Sequence, residues 1–392
     1  MSLASERSPS KPPYRVQLLV DGRLEYFREV VLGVRQYGFS SGRLTFADRW
    51  LAHESSDLAA LVRRDRIDGI VAAVHAPREL ERLRGVRVPV VNVSNSVVGR
   101  ALPLVTQDDV AVGRLAAEHL AATGARAWAF CGQAEARYAE ERWRGFCAGV
   151  RAAGGARVVV SRCDVGGESS RTRYRRLRAW LRGLPARVGV FAVLDEIALE
   201  LLRAARELGR AVPEDVAVLG AGNDDFWVEF ESVPLSSVRL PARAIGVEAG
   251  RAIEALMASR RRTMTPRRLP VTEVVARRST DVVFVADEAV ARAARYIRSG
   301  ASANPYVADV VRAAGISRSA LQARFKAALG RTVLDEIRRV RIERAQGLLR
   351  TTDVKMTVVA ERCGFPNSQR FSVLFRQVTG MSPRTYRRAA RG

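Results

Sequence analysis

The sequence has 392 residues, long for one domain, so two or three are expected. Hydrophobic residues make up 47% of it, enough to fill buried cores, which argues against a disordered chain. The net charge of +24 is unevenly spread: residues 285–392 carry 21 basic and 8 acidic side chains, against 44 and 33 in the first 284 residues. Charge density is therefore about three times higher in the tail, as contact with phosphates requires. Lysine occurs only at Lys11, Lys326 and Lys355, so part of the arginine excess reflects coding bias, and the gradient carries the inference.

Met1 to Pro13 is polar, proline-rich and lacks the apolar core of a secretion signal, so residues 1–13 are expected to be disordered. No stretch approaches the ~18 apolar residues of a membrane span. Cys131, Cys147, Cys163 and Cys363 show neither metal spacing nor a disulfide framework, and His53, His75 and His119 are scattered. The expectation is a soluble cytoplasmic protein with no metal and no cofactor.

Candidate strands then follow at Val16–Val20, Gly69–Val74, Val88–Val93, Ala127–Phe130, Val158–Val160, Val188–Val193 and Val216–Leu219. Helical patterns lie between and after them at Glu29–Tyr37, Val110–Ala122, Glu141–Ala153, Arg171–Leu181, Ile197–Leu208 and Ala244–Ser259. Apolar strands alternating with helices predict parallel sheets covered on both faces. So many units over 280 residues predict two such subdomains, with ligand at the carboxyl ends of the strands. Gly220-Ala221-Gly222 lacks the third glycine of a dinucleotide fingerprint. No phosphate loop, nucleophile elbow or catalytic carboxylate pair is recognisable, so an enzyme is not expected.

The tail contains one pattern twice. The first copy runs from Val307–Ala314 into Gly315-Ile316-Ser317, then Leu321, Phe325 and Gly330. The second runs from Val358–Cys363 into Gly364-Phe365, then Phe371, Phe375, Gly380 and Ser382-Pro383. Helix, glycine turn, helix is the plan whose second helix enters the DNA major groove. Leu321, Phe325 and Leu329 form one apolar stripe, and Phe371, Leu374, Phe375 and Val378 the other. Arg318, Ser319, Gln322 and Lys326 face away from the first stripe; Asn367, Gln369, Arg370 and Arg376 face away from the second. Arginine and glutamine are side chains that pair with guanine and adenine edges.

On these residues, with Ala314, Arg341, Ala345, Leu348-Leu349 and Tyr386-Arg387, residues 287–389 resemble the AraC-type DNA-binding domain. The resemblance implies two three-helix lobes joined by a long helix at about Val333–Leu349. It places base-reading positions on Arg318, Ser319, Gln322 and Ala323, and on Asn367, Gln369, Arg370 and Val373. Arg387 and Arg388, beyond the second reading helix, are expected on phosphates.

Residues 14–282 resemble the LacI-type sugar sensors. The motifs are Val105-Thr106-Gln107-Asp108-Asp109 with Gly113, Phe191-Ala192-Val193-Leu194-Asp195, Val212-Pro213-Glu214-Asp215-Val216, Leu235-Ser236-Ser237-Val238, Gly246 and Ala276-Arg277-Arg278-Ser279-Thr280-Asp281. This implies a two-lobed, Rossmann-like, periplasmic-binding-protein-like α/β sensor ahead of an all-helical reader. Carried over by position, Asp108, Arg142 and Asp195 contact ligand. Gly222 stands where the family has another acid, with Asn223, Asp224 or Asp225 as substitutes. Asp21, Tyr26 and Arg28 are further candidates, by position after the first strand. Arg142→Ala and Asp195→Ala are expected to weaken sugar binding and leave folding intact.

A LacI-type sensor ahead of an AraC-type reader, at this length, resembles the regulators of pentose operons. It implies a homodimeric activator that binds double-stranded DNA, works with RNA polymerase and responds to D-xylose before other monosaccharides. A cytoplasmic sugar-binding protein with some other partner for its basic tail, or a repressor sensing another small molecule, remains the alternative reading.

Overall fold

The computed structural model describes residues 13–22, 24–47, 57–97, 102–154, 160–224, 233–281, 287–298 and 305–389. Two compact units divide the chain, residues 1–282 and 283–392. In the first, β1 (Tyr14–Leu19), β2 (Leu44–Phe46), β3 (Gly69–Ala72) and β4 (Val90–Asn92) make a parallel sheet ordered β2-β1-β3-β4. A second sheet holds β6 (Ala127–Gln133), β7 (Val160–Val165), β8 (Val188–Ala192), β9 (Val216–Gly222), β10 (Ser236–Arg239) and β12 (Val274–Val275). Its order is β12-β10-β9-β8-β6-β7, parallel except for β12. β3 and β8 are buried at every position, the pattern of strands covered on both faces.

The covering helices are α1 (Glu25–Ser41), α2 (Leu58–Arg64), α3 (Pro77–Arg84), α4 (Asp109–Ala122), α5 (Arg137–Gly154), α6 (Ser170–Gly183), α7 (Asp195–Glu207) and α8 (Ala242–Ser259). α1 and α8 pack together on the first sheet, and α4 and α5 pack together on the second. α4 and α5 approach backbone to backbone: a Cβ on Gly113 would lie 2.0 Å from the Arg142 carbonyl, and one on Gly145 2.0 Å from that of Val110. Only glycine permits this contact, which brings the Arg142 turn against the start of α4.

The chain crosses between the lobes three times. β5 (Val105–Gln107) leads from the first lobe into α4, the turn before α8 returns, and β11 (Arg267–Leu269) leads out again. β5 and β11 pair in parallel, Arg268 opposite Thr106, and Asp108 N donates to the Leu269 carbonyl at 2.9 Å. This two-stranded ribbon is the hinge.

The second unit contains α9 (Glu288–Arg298), α10 (Val307–Ala314), α11 (Arg318–Leu329), α12 (Val333–Thr351), α13 (Met356–Arg362), α14 (Ser368–Thr379) and α15 (Pro383–Ala389). It has two cores. One gathers Val290, Ile297, Val310, Leu321, Phe325 and Ile337; the other gathers Ile342, Leu349, Val359, Phe371 and Phe375. α12 contributes to both. Gly315 and Gly364 take φ of 70° and 76° at the two interhelical turns, the left-handed region a side chain resists.

Candidate functional site

The parallel strands of both sensor sheets point their carboxyl ends at a cavity of about 670 Å³. Tyr26, Phe27, His75, Ser94 and Asn95 line it from the first lobe, Gln133, Tyr138, Arg142, Glu196 and Gly222 from the second, and Gln107 from the hinge. This is where strand-end loops leave backbone and side-chain polar groups free to meet a ligand.

A buried ionic network sets the polar wall. Asp109, fully buried, accepts from Gln107 Nε2 and Arg142 Nε at 2.8 Å each and from Asn95 Nδ2 at 2.9 Å. Arg142, 2% exposed, also donates through Nη1 to the Val193 carbonyl and stacks 5.0 Å from the centre of the Tyr138 ring. Tyr26 Oη donates to Gln107 Oε1 at 2.9 Å. Asn95 Nδ2 reaches Glu141 Oε2 at 2.8 Å, and Arg268 of β11 grips the same carboxylate at 2.7 and 3.1 Å. Burial pushes the Glu141 carboxyl up, but Arg268, Asn95 and Arg137 outweigh it and hold it below its ordinary value. Burial raises the Tyr26 and Tyr138 phenols well above theirs, so both stay neutral hydroxyls. Guanidinium, two amides and two phenols, each oriented by a second partner, make a wall suited to a neutral hydroxylated ligand.

The positions expected from sequence divide accordingly. Arg142 and Tyr26 line the cavity. Asp108 does not: it caps α4, its carboxylate accepting from Ala111 N at 3.0 Å, and the inward acid is its neighbour Asp109. Asp195 lies just behind the wall, 6% exposed, accepting from Ser237 Oγ at 2.6 Å and Asp224 N at 3.1 Å. Burial pushes its carboxyl up to about 6. Asn223 is turned away toward Arg277, and Asp224 serves Asp195 through its backbone. Arg28 donates to the Gly22 carbonyl at 3.1 Å, and neither it nor Asp21 lines the cavity. Asp225 lies outside the described residues. The sequence does not single out Gln107, Asn95, Tyr138 or Glu196 as cavity residues; Gln107 and Asp109 flank Asp108 in the Val105–Asp109 motif.

In the reader, Ser317 caps α11 and Asn367 caps α14. Arg318, Ser319, Gln322, Ala323 and Lys326 are exposed along α11. Gln369, Arg370, Val373 and Arg376 are exposed along α14, as is Asn367, although its Oδ1 is occupied by Arg370 N at 2.8 Å. Val378 is 54% exposed and does not belong to the apolar stripe, because α14 is rotated onto Phe371 and Phe375. Arg387 is half-buried and donates through Nη2 to the Val354 carbonyl at 2.7 Å, which makes it a tie between α15 and the loop before α13. Arg388 is exposed and shares a basic groove with Lys355 and Arg384.

Residues 117–280 match the periplasmic binding protein-like domain and residues 310–389 match a helix-turn-helix domain. The xylose operon regulatory protein of Escherichia coli (strain K12) is 31% identical over 386 residues, which span 95% of this chain and 97% of that one. The chain belongs to the xylose operon regulatory protein family. The Haemophilus influenzae member is 29% identical over 384 residues, covering 95% of this chain and 98% of that protein. The solved structure of a xylose-binding transcription activator superposes with a TM-score of 0.71 at 29% identity, covering 98% of this chain and all of the other. Like these relatives, the chain is a sugar-responsive transcription regulator, a periplasmic-binding-protein-like sensor followed by an AraC-type reader. Among the described residues, no helix is long and apolar enough to cross a membrane and no cluster of three or more acidic, histidine or cysteine side chains could hold a metal.

Proposed function

We propose that the protein binds D-xylose in the cavity between its sensor lobes and, so loaded, activates transcription of pentose-use genes. The observation that carries this reading is the wall of Arg142, Gln107, Asn95, Tyr26 and Tyr138, neutral hydroxyls and amides around one held cation, in a chain of this family. Arg142 has donors beyond those given to Asp109 and Val193, and the amides supply both donors and acceptors for sugar hydroxyls. Phe27 and His75, stacked edge to face at 5.0 Å, offer an apolar shoulder for a pyranose face. Ligand bridging both lobes favours the closed sensor, which is the differential affinity that a population shift requires.

Two chains act as a homodimer in the cytoplasm, each with two reading helices for tandem half-sites, and the bound dimer engages RNA polymerase. Arg318, Gln322, Gln369 and Arg370 read base edges; Arg388, Lys355 and Arg384 hold phosphates. No reaction is catalysed. Thermal-shift screening of the full chain against monosaccharides, purines and amino acids tests the ligand class. A rise in melting temperature with D-xylose supports the reading. A rise with a purine and none with any monosaccharide overturns it.

A further inference from the structure

The segment Ala276–Asp281 does not line the cavity, yet it is wired into β9 and β10, two second-lobe strands whose ends do. Ser279 Oγ accepts from Ser236 N at 2.8 Å and donates to the Val218 carbonyl at 2.6 Å. Thr280 Oγ1 donates to Ser236 Oγ at 2.7 Å and meets His119 Nε2 at 2.7 Å. Burial pushes the His119 imidazole down, so it is neutral, and the network assigns its proton to Nε2. Ser236 Oγ in turn donates to the Arg277 carbonyl at 2.9 Å and accepts from Arg277 N at 2.7 Å. The backbone at 277–280 is therefore stapled to β9, β10 and α4 immediately ahead of the connection to the reader.

The Arg277 side chain makes its own bonds, to residues just after β9 and just before β10. Its Nη1 donates to Asn223 Oδ1 and to the Leu235 carbonyl, both at 2.9 Å, and so clasps the two ends of the β9–β10 connection. Asn223 takes φ of 60° and donates its N–H to Ser237 Oγ at 3.0 Å, and Ser237 holds Asp195. The residue before Asn223, Gly222, is a wall of the cavity. Any shift of the rim on ligand closure must either break the Arg277 bonds or carry the guanidinium with it. The stem of that side chain springs from the hydrogen-bonded backbone that precedes the reader in the chain.

We propose that Arg277 is a positioning residue through which the state of the ligand-side rim, at Gly222 and Asn223, is passed to the DNA reader. The idea rests on D-xylose being the ligand. In the full chain, DNA selected from a randomised pool is titrated by fluorescence anisotropy with and without saturating D-xylose, and sugar binding is measured by calorimetry. Arg277→Met keeps the bulk of the stem and removes the donors; Asn223→Gly removes the acceptor and tolerates the positive φ. Each is expected to leave sugar-free DNA affinity as in wild type and to lower the D-xylose effect on DNA affinity about five-fold or more. The double variant is expected to lose no more than Arg277→Met alone, since that change already removes the bonds to Asn223 and to Leu235. Arg277→Lys, which retains a donor, restores part of the effect. A purely structural bond would lower the melting temperature and leave the response at saturation intact. Should Arg277→Met fail to fold, Asn223→Gly, whose backbone is unchanged, carries the test. Variants that respond fully beside a responsive wild type overturn the coupling alone. A wild type that binds DNA with no response to D-xylose overturns the function reading and the coupling with it.

Discussion

Asp108 and Asp109 are adjacent, chemically identical and opposite in role. The residue before a helix is the favoured N-cap, and a carboxylate there accepts from a backbone N–H of the first turn, as Asp108 does from Ala111. Asp109 then points inward and meets Arg142 at 2.8 Å with both side chains almost wholly buried. Removing one member of such a pair strands a buried charge, which costs about 3–5 kcal/mol. Arg142→Ala is therefore expected to destabilise the sensor by that amount as well as weaken sugar binding, contrary to the sequence expectation that folding survives. Urea unfolding measures it, and a loss under about 1 kcal/mol would show that the network does not hold the site. Asp195 gives a pH signature. Its carboxyl, raised to about 6 in the fold, favours the protonated native state, so its stabilising contribution is complete below about 4 and disappears as pH rises through 6. Asp195→Asn does not titrate, so the variant should gain on wild type between pH 4.5 and 7.5, by up to about 3 kcal/mol. Parallel stability profiles in urea at the two pH values would contradict the burial assigned to this group.

In the proposed reading, base contacts and phosphate contacts separate by where each side chain stands. Arg370, exposed on α14, should on replacement by alanine relax preference at one base pair by about 1–3 kcal/mol. Arg388→Ala should weaken all sequences alike and flatten the salt dependence. Arg387→Ala should also destabilise the second reader lobe, because its guanidinium is tied to the Val354 carbonyl. If footprinting shows Arg370→Ala and Arg388→Ala acting identically on specific and random DNA, this division is wrong. These helices were legible because their glycine turns and four-residue stripes are local signals, repeated about 50 residues apart from Leu321 and Phe325 to Phe371 and Phe375. The long sensor helices and buried apolar strands were legible for the same reason. The hinge was not. β5 and β11 are three residues each, and the latter reads Arg267-Arg268-Leu269, so their pairing is set by partners 162 positions apart and by no periodicity. β10, with the polar start Ser236-Ser237, was invisible as a strand because its hydroxyls serve Asp195, Arg277 and Thr280 and do not face water. The cavity was legible only in part, since Asn95 and Tyr138 belong to no motif and reach the wall through tertiary contacts.

Sensor and reader each carry their own buried cores, with α12, ~28 Å long for its 19 residues, spanning both lobes of the reader. A fragment starting at Asp287 is therefore expected to fold and bind DNA with no response to sugar. A fragment that failed to fold, or whose binding still changed with D-xylose, would place the boundary elsewhere. In the intact chain the sugar acts only through its preference for one sensor state, so ligand and DNA must influence each other equally. The most direct measurement is the affinity of the full-length protein for its selected DNA, by anisotropy, across a D-xylose titration. A sugar-responsive activator should bind more tightly as D-xylose rises, by about 5- to 150-fold at saturation, and in the reciprocal experiment saturating DNA should tighten D-xylose binding by the same factor. Unchanged DNA affinity across the titration, with D-xylose demonstrably bound, would contradict it.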